Sequence, residues 1–210
     1  MSKSVYSVIL SDDLVSELDL VAYKNGVSRS TMIDKILSEY LTVETPTVRM
    51  ENIFSRMERI IGEWSGLRFI NQPNMSMASV KSALSYRYNP TVKYSVELLS
   101  GGDALGEIKI SLRTQSAALV SLMEDFYKFF IYLEKKYLGE RRYGYENYKF
   151  TRVLQKADMT AAETGEAIAY FVRCFNYLLN GYFQGLGDIE NTKIMLEKKY
   201  AEEMVKNVMV

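Results

Sequence analysis

The chain has 210 residues, 48% of them apolar and 25% charged, with 26 basic residues against 26 acidic ones. That length and apolar content suit one or two well-cored domains and exclude a disordered tail. There is no histidine and one cysteine, Cys174, so the sequence offers neither an imidazole base nor a thiolate cluster; no metal, no cofactor and no enzymatic role are expected.

The first elements are one short strand and two amphipathic helices. Val5-Tyr6-Ser7-Val8-Ile9-Leu10 reads as a strand, and Ser11-Asp12-Asp13 offers an N-cap to a helix over Leu14 to Lys24 that Asn25-Gly26 stops. A second helix is predicted from about Arg29 to Leu41, with Ser28 able to cap its free backbone N–H groups. About 45 residues with a single strand cannot close a core, because so small a unit buries too little surface and a lone strand has two open edges. A second copy of the segment is the natural remedy.

In Ile9-Leu10-Ser11-Asp12-Asp13-Leu14 at the first junction, and in Gly26-Val27-Ser28-Arg29-Ser30-Thr31-Met32-Ile33 at the second, the segment over about residues 3–43 resembles the ribbon-helix-helix family of DNA-binding proteins, of the MetJ, Arc and CopG type. The resemblance covers about a fifth of the chain. It implies an intertwined β-α-α homodimer whose paired strands enter the major groove of double-stranded DNA, with the start of the second helix against a phosphate. On that match Tyr6, Val8 and Leu10 face the dimer core, Val5, Ser7 and Ile9 face the groove, and Ser28, Arg29 and Ser30 grip phosphate. Val5 and Ile9 can touch thymine methyls, and Ser7 alone can hydrogen-bond a base edge. Residues 1–48 hold four basic residues (Lys3, Lys24, Arg29, Lys35) against seven acidic ones (Asp12, Asp13, Glu17, Asp19, Asp34, Glu39, Glu44), which leaves 22 against 19 for residues 49–210.

Thr42 to Val48, with Pro46, reads as a linker, which divides the chain into a module over 1–44, a linker over 45–49 and a second domain over 50–210. Met50, Ile53, Phe54, Met57, Ile60, Ile61 and Trp64 form a helical stripe in residues 48–64. Residues 78–113 then alternate with period two in three segments, ending near Tyr88, Leu98 and Arg113, and predict a three-stranded antiparallel meander with one buried face. Its wet face collects Lys81, Arg87, Lys93, Lys109 and Arg113, which with Lys3 are candidate accessory DNA contacts. Thr114 can cap a helix through about Tyr137, Thr160 starts another, and Asp188 caps a last one to about Lys206. Between the first two of these, residues 128–156 mix eight cations with Tyr137, Tyr143, Tyr145, Tyr148 and Phe150, a composition that suits either nucleic-acid contact or a tyrosine-anchored loop. Gly185-Leu186-Gly187-Asp188 lacks the third glycine and preceding strand of a dinucleotide fingerprint.

The expected fold class is α+β: the N-terminal ribbon-helix-helix plus a C-terminal domain with a three-stranded antiparallel sheet packed by several helices. The expected function is a sequence-specific transcriptional regulator, a repressor, acting as a homodimer with room for higher oligomers. Two alternatives stand beside it: a centromere-type or architectural DNA binder for plasmid or chromosome segregation, and a protein-interaction scaffold that keeps the dimer fold. No run approaches the ~18 apolar residues of a membrane helix, so a cytoplasmic protein without membrane contact is expected.

Overall fold

A computed structural model describes residues 5–71, 75–146 and 149–206. Helix α1 (Asp12–Lys24) and helix α2 (Arg29–Leu41) lie where the apolar spacing predicts them. Gly26, at a φ of +64°, takes the left-handed turn that separates them. The lone N-terminal strand is not found. Residues 5–10 join no strand in the protomer, and the described chain has no β-strand before Leu67. The reason is that a single extended segment has no neighbour in its own chain to take its backbone N–H and C=O groups, which stay with solvent.

Helix α3 (Pro46–Gly62) starts with proline in its first turn and with Thr45 accepting a bond from the Val48 N–H at 3.3 Å. Residues 46–49, expected in the linker, are therefore the first turn of a helix.

The sheet has six strands, not three. Strands β1 (Leu67–Asn71), β2 (Met77–Ala83), β3 (Thr91–Leu98), β4 (Ala104–Leu112), β5 (Tyr143–Glu146) and β6 (Lys149–Gln155) form one antiparallel sheet in the order β1-β2-β3-β4-β6-β5. The three extra strands escape a period-two reading for physical reasons. β1 and β5 are only five and four residues long. In β6, Phe150, Arg152 and Leu154 face the core, so a buried arginine interrupts the apolar alternation. β2 also stops at Ala83, short of Tyr88, because Tyr88 and Asn89 adopt positive φ in the turn into β3.

Helix α4 (Ala117–Leu138) is capped by Ser116, not Thr114; helix α5 (Ala161–Gln184) opens with a full capping box between Thr160 and Glu163. A 3-10 turn (Leu186–Asp188) leads into helix α6 (Ile189–Lys206), whose Asn191 N–H donates to Asp188 at 3.4 Å. One core runs between these helices and one face of the sheet, where Val80, Tyr94, Ile110, Phe150, Phe126, Phe130, Phe171 and Phe175 are buried. α3 and α5 approach closely at Gly165, where a Cβ would stand 2.6 Å from the Ile53 carbonyl oxygen. The opposite face of the sheet stays open, with Lys81, Thr91 and Lys149 exposed and Lys93, Ser95, Lys109, Ser111 and Thr151 half-buried.

Candidate nucleic-acid interface

Two surfaces carry the residues that could meet a polyanion. The first is the start of α2. Ser28, with extended backbone, accepts from the Thr31 N–H at 3.2 Å, and its hydroxyl lies 3.1 Å from that of Ser30 and 2.9 Å from that of Thr31. Three hydroxyls thus gather at an exposed helix N-terminus, where unpaired N–H groups and the helix dipole favour an anion.

Arg29 stands beside them but is engaged. Its Nε donates to Asp19 Oδ1 at 2.6 Å and its Nη2 to Oδ2 at 2.5 Å, a two-pronged pair between α2 and α1. The guanidinium holds the Asp19 carboxyl below its ordinary range, and the carboxylate raises Arg29 further. A phosphate at this site must compete with Asp19 for Arg29. The residue pattern points to the arginine but not to the carboxylate ten positions away that holds it, because that pairing depends on how α1 and α2 cross.

The segment before α1 is bare. Val5 is 98% and Ile9 100% exposed, and Ser7 is exposed between them. Tyr6 and Val8, expected on a core face, are exposed as well, because one protomer supplies nothing to cover them. The same holds for one side of α2, where Ile36, Leu37, Tyr40 and Leu41 are exposed next to half-buried Ile33, an i, i+3, i+4, i+7, i+8 stripe. Only Leu18, Ala22 and Met32 are buried in the small core between α1 and α2. A helical stripe of this regularity without a partner is an interface pattern.

The second surface is the open face of the sheet. Pairing register lines up Arg68, Lys81, Lys93, Ser111, Lys149 and Glu146 in one row across all six strands. The next row holds Ser79, Ser95, Lys109 and Thr151, and the one after it Met77, Glu97, Glu107 and Val153. Lys109 does not serve as a free cation: it pairs with Glu107 and, at 3.5 Å, with Glu97, and both raise its pKa. Arg87 falls in the turn after β2 and Arg113 just past the end of β4, so neither belongs to the rows. Lys3 lies outside the described residues. Arg68 and Lys149 join the face unannounced, since the period-two pattern does not reach the strands that carry them.

The mixed basic and aromatic stretch over 128–156 divides differently. Lys128, Lys135 and Lys136 pair with Asp125, Glu140 and Glu197, while Tyr143 and Phe150 pack with each other and Arg152 is fully buried against Glu134. Tyr143, Phe150 and Arg152 thus serve packing, while Lys149 stays exposed on the open face of the sheet. Cys174 is buried, and burial pushes its thiol up to about 12, far from a reactive thiolate. Among the described residues no cluster of three or more His, Cys, Asp or Glu side chains could hold a metal ion, and no helix is long and apolar enough to cross a membrane.

Comparison with protein-family models, with curated proteins and with solved structures finds no match to this chain. The assignment of a role therefore depends on these two surfaces.

Proposed function

We propose that the chain is a cytoplasmic DNA-binding regulator, a repressor, that acts as a homodimer built on its first 43 residues. The observation that carries this reading is the exposed stripe Ile36, Leu37, Tyr40 and Leu41, continued by half-buried Ile33, together with the exposed Tyr6, Val8 and Leu10. Fully burying a side chain such as Val8, Ile36 or Leu37 contributes about 1.5–3 kcal/mol each, which a second copy of the same segment can supply. In the dimer the two N-terminal segments lie against each other and take up one another's backbone hydrogen bonds. Val5, Ser7 and Ile9 then point together into the major groove, and each α2 N-terminus meets a flanking phosphate.

Asp19 gives the phosphate grip a built-in competitor. While no DNA is bound it holds Arg29 against α1; on binding, the phosphate takes over the guanidinium and the carboxylate is left to water. Two substitutions should therefore act in opposite directions. Arg29→Ala is expected to weaken duplex binding on every sequence alike and to reduce the salt slope by about 0.9 for each phosphate that is no longer neutralised. Asp19→Asn, which frees Arg29 and removes a negative charge from the site, is expected to tighten binding several-fold. Fluorescence anisotropy on duplex fragments measures both; equal affinity of Arg29→Ala and the unaltered chain would rule out the grip. A second reading, an architectural DNA binder, draws its support from the cation row on the sheet.

A further inference from the structure

We infer that the open face of the sheet is a second, sequence-independent contact for the backbone of duplex DNA, centred on the row Arg68, Lys81, Lys93 and Lys149; the inference rests on the proposed DNA-binding role. Like charges directly opposite one another in a sheet are destabilising, yet Arg68 faces Lys81 and Lys81 faces Lys93 in register. No ion-pair partner relieves any of the four among the described residues. The carboxylates of this face lie apart from its central cations: Glu146 closes the row at the β5 edge, opposite Lys149, while Glu97 and Glu107 lie two rows away and are engaged with Lys109. A surface evolved only for solubility would intersperse the two signs. Three cations opposite one another, Arg68, Lys81 and Lys93, with Lys149 beyond Ser111, call for a line of the opposite sign.

The dimensions and chemistry select the partner. Five strands at about 4.8 Å spacing make the row from Arg68 to Lys149 about 19 Å long, the axial rise of some five or six base pairs of a duplex. Ser111 within the row, and Ser95 and Thr151 beside it, add half-buried hydroxyls that suit phosphate oxygens. No aromatic ring stands in these rows to stack on a base, which argues against a single-strand platform and for a contact limited to backbone. The face thus adds affinity along DNA while the N-terminal pair supplies register and whatever sequence preference there is.

The test is the whole chain carrying Arg68→Gln, Lys81→Gln, Lys93→Gln and Lys149→Gln together, compared with Lys198→Gln on α6 and titrated against mixed-sequence duplex at about 50 and about 200 mM salt. With four fewer phosphates neutralised for each protomer whose face engages DNA, the salt slope should fall by at least about 3–4, so the unaltered chain should lose at least ~100-fold more affinity across that range than the fourfold variant. Lys198→Gln should follow the unaltered chain, and circular dichroism should show the fourfold variant folded, since it only relieves repulsion. A slope unchanged in the folded fourfold variant overturns the inference while leaving the N-terminal reading intact. A slope lowered in that variant, but untouched by Arg29→Ala, keeps the face and removes the N-terminal grip. Capture by anionic vesicles without any binding to duplex overturns it in favour of a lipid surface.

Discussion

Glu134→Ala should destabilise the protein more than any other single truncation of a polar side chain, by about 3–5 kcal/mol, which for a chain of this size lowers the melting temperature by roughly 6–20 °C. Glu134 on α4 and Arg152 on β6 are both completely buried, with Arg152 Nε donating to Glu134 Oε2 at 2.8 Å and the guanidinium 4.8 Å from the centre of the Phe171 ring. Two ions taken out of water gain little net stability from one another, because desolvation consumes most of their attraction. Removing one is another matter, since Arg152 then keeps its buried charge beside the Phe171 ring without the carboxylate that meets its Nε. The pair also shapes its neighbourhood: burial, aided by the Glu134 carboxylate, pushes the Tyr143 and Tyr200 hydroxyls well above their ordinary pKa. Replacing both ions, Glu134→Leu with Arg152→Met, should restore most of the stability. Thermal unfolding followed by circular dichroism reads both variants. A melting temperature of Glu134→Ala within a degree or two of the unaltered chain would show that the other contacts of Arg152 suffice to hold its charge when the carboxylate is gone.

Val8→Asp should abolish DNA binding, by a factor of ~100 or more, while leaving the melting of the C-terminal domain unchanged. Val8 is 74% exposed in the protomer, so a substitution there has nothing to disturb if the protomer is the working unit. In the proposed dimer it is buried against its counterpart, and two carboxylates brought together in an apolar core are each unpaired and mutually repelling. Ile9→Asp makes the complementary case. Ile9 is assigned to the groove side, so its carboxylate should leave the dimer intact but repel DNA. Size-exclusion chromatography and anisotropy together separate the two: Val8→Asp should lose both dimer and DNA, Ile9→Asp only DNA. Reversed behaviour of the pair would place the opposite face of the segment in the dimer core.

Local patterns in the sequence carried much of the helical architecture. Apolar spacing located α1, α2 and α3 closely, and the Thr160 and Asp188 caps located the starts of α5 and α6 because those caps are local chemistry. The sheet was half legible. Strands buried on one face alternate strictly, as β3 does, whereas β6 conceals its alternation behind Arg152, a charge that Glu134, eighteen residues earlier, meets inside. The N-terminal segment failed for a different reason: extended propensity does not make a strand without a neighbour, and no neighbour lies in the same protomer. For the candidate site, residue types pointed to Arg29 and to Lys81 and Lys93, but the ligation of Arg29 by Asp19 and the neutralisation of Lys109 by Glu107 follow from tertiary geometry alone. The charge row itself appears only once register is known, because Arg68 and Lys149 are 81 positions apart in sequence and on one line in space.

Sedimentation equilibrium of the chain, with and without residues 1–11, bears most directly on the proposal that this segment completes a symmetric DNA-binding pair. The intact chain should sediment at twice its 24.2 kDa protomer mass, and the shortened one at the protomer mass. An intact chain that stays at 24.2 kDa over the accessible concentrations, or a shortened chain that still pairs, would contradict it.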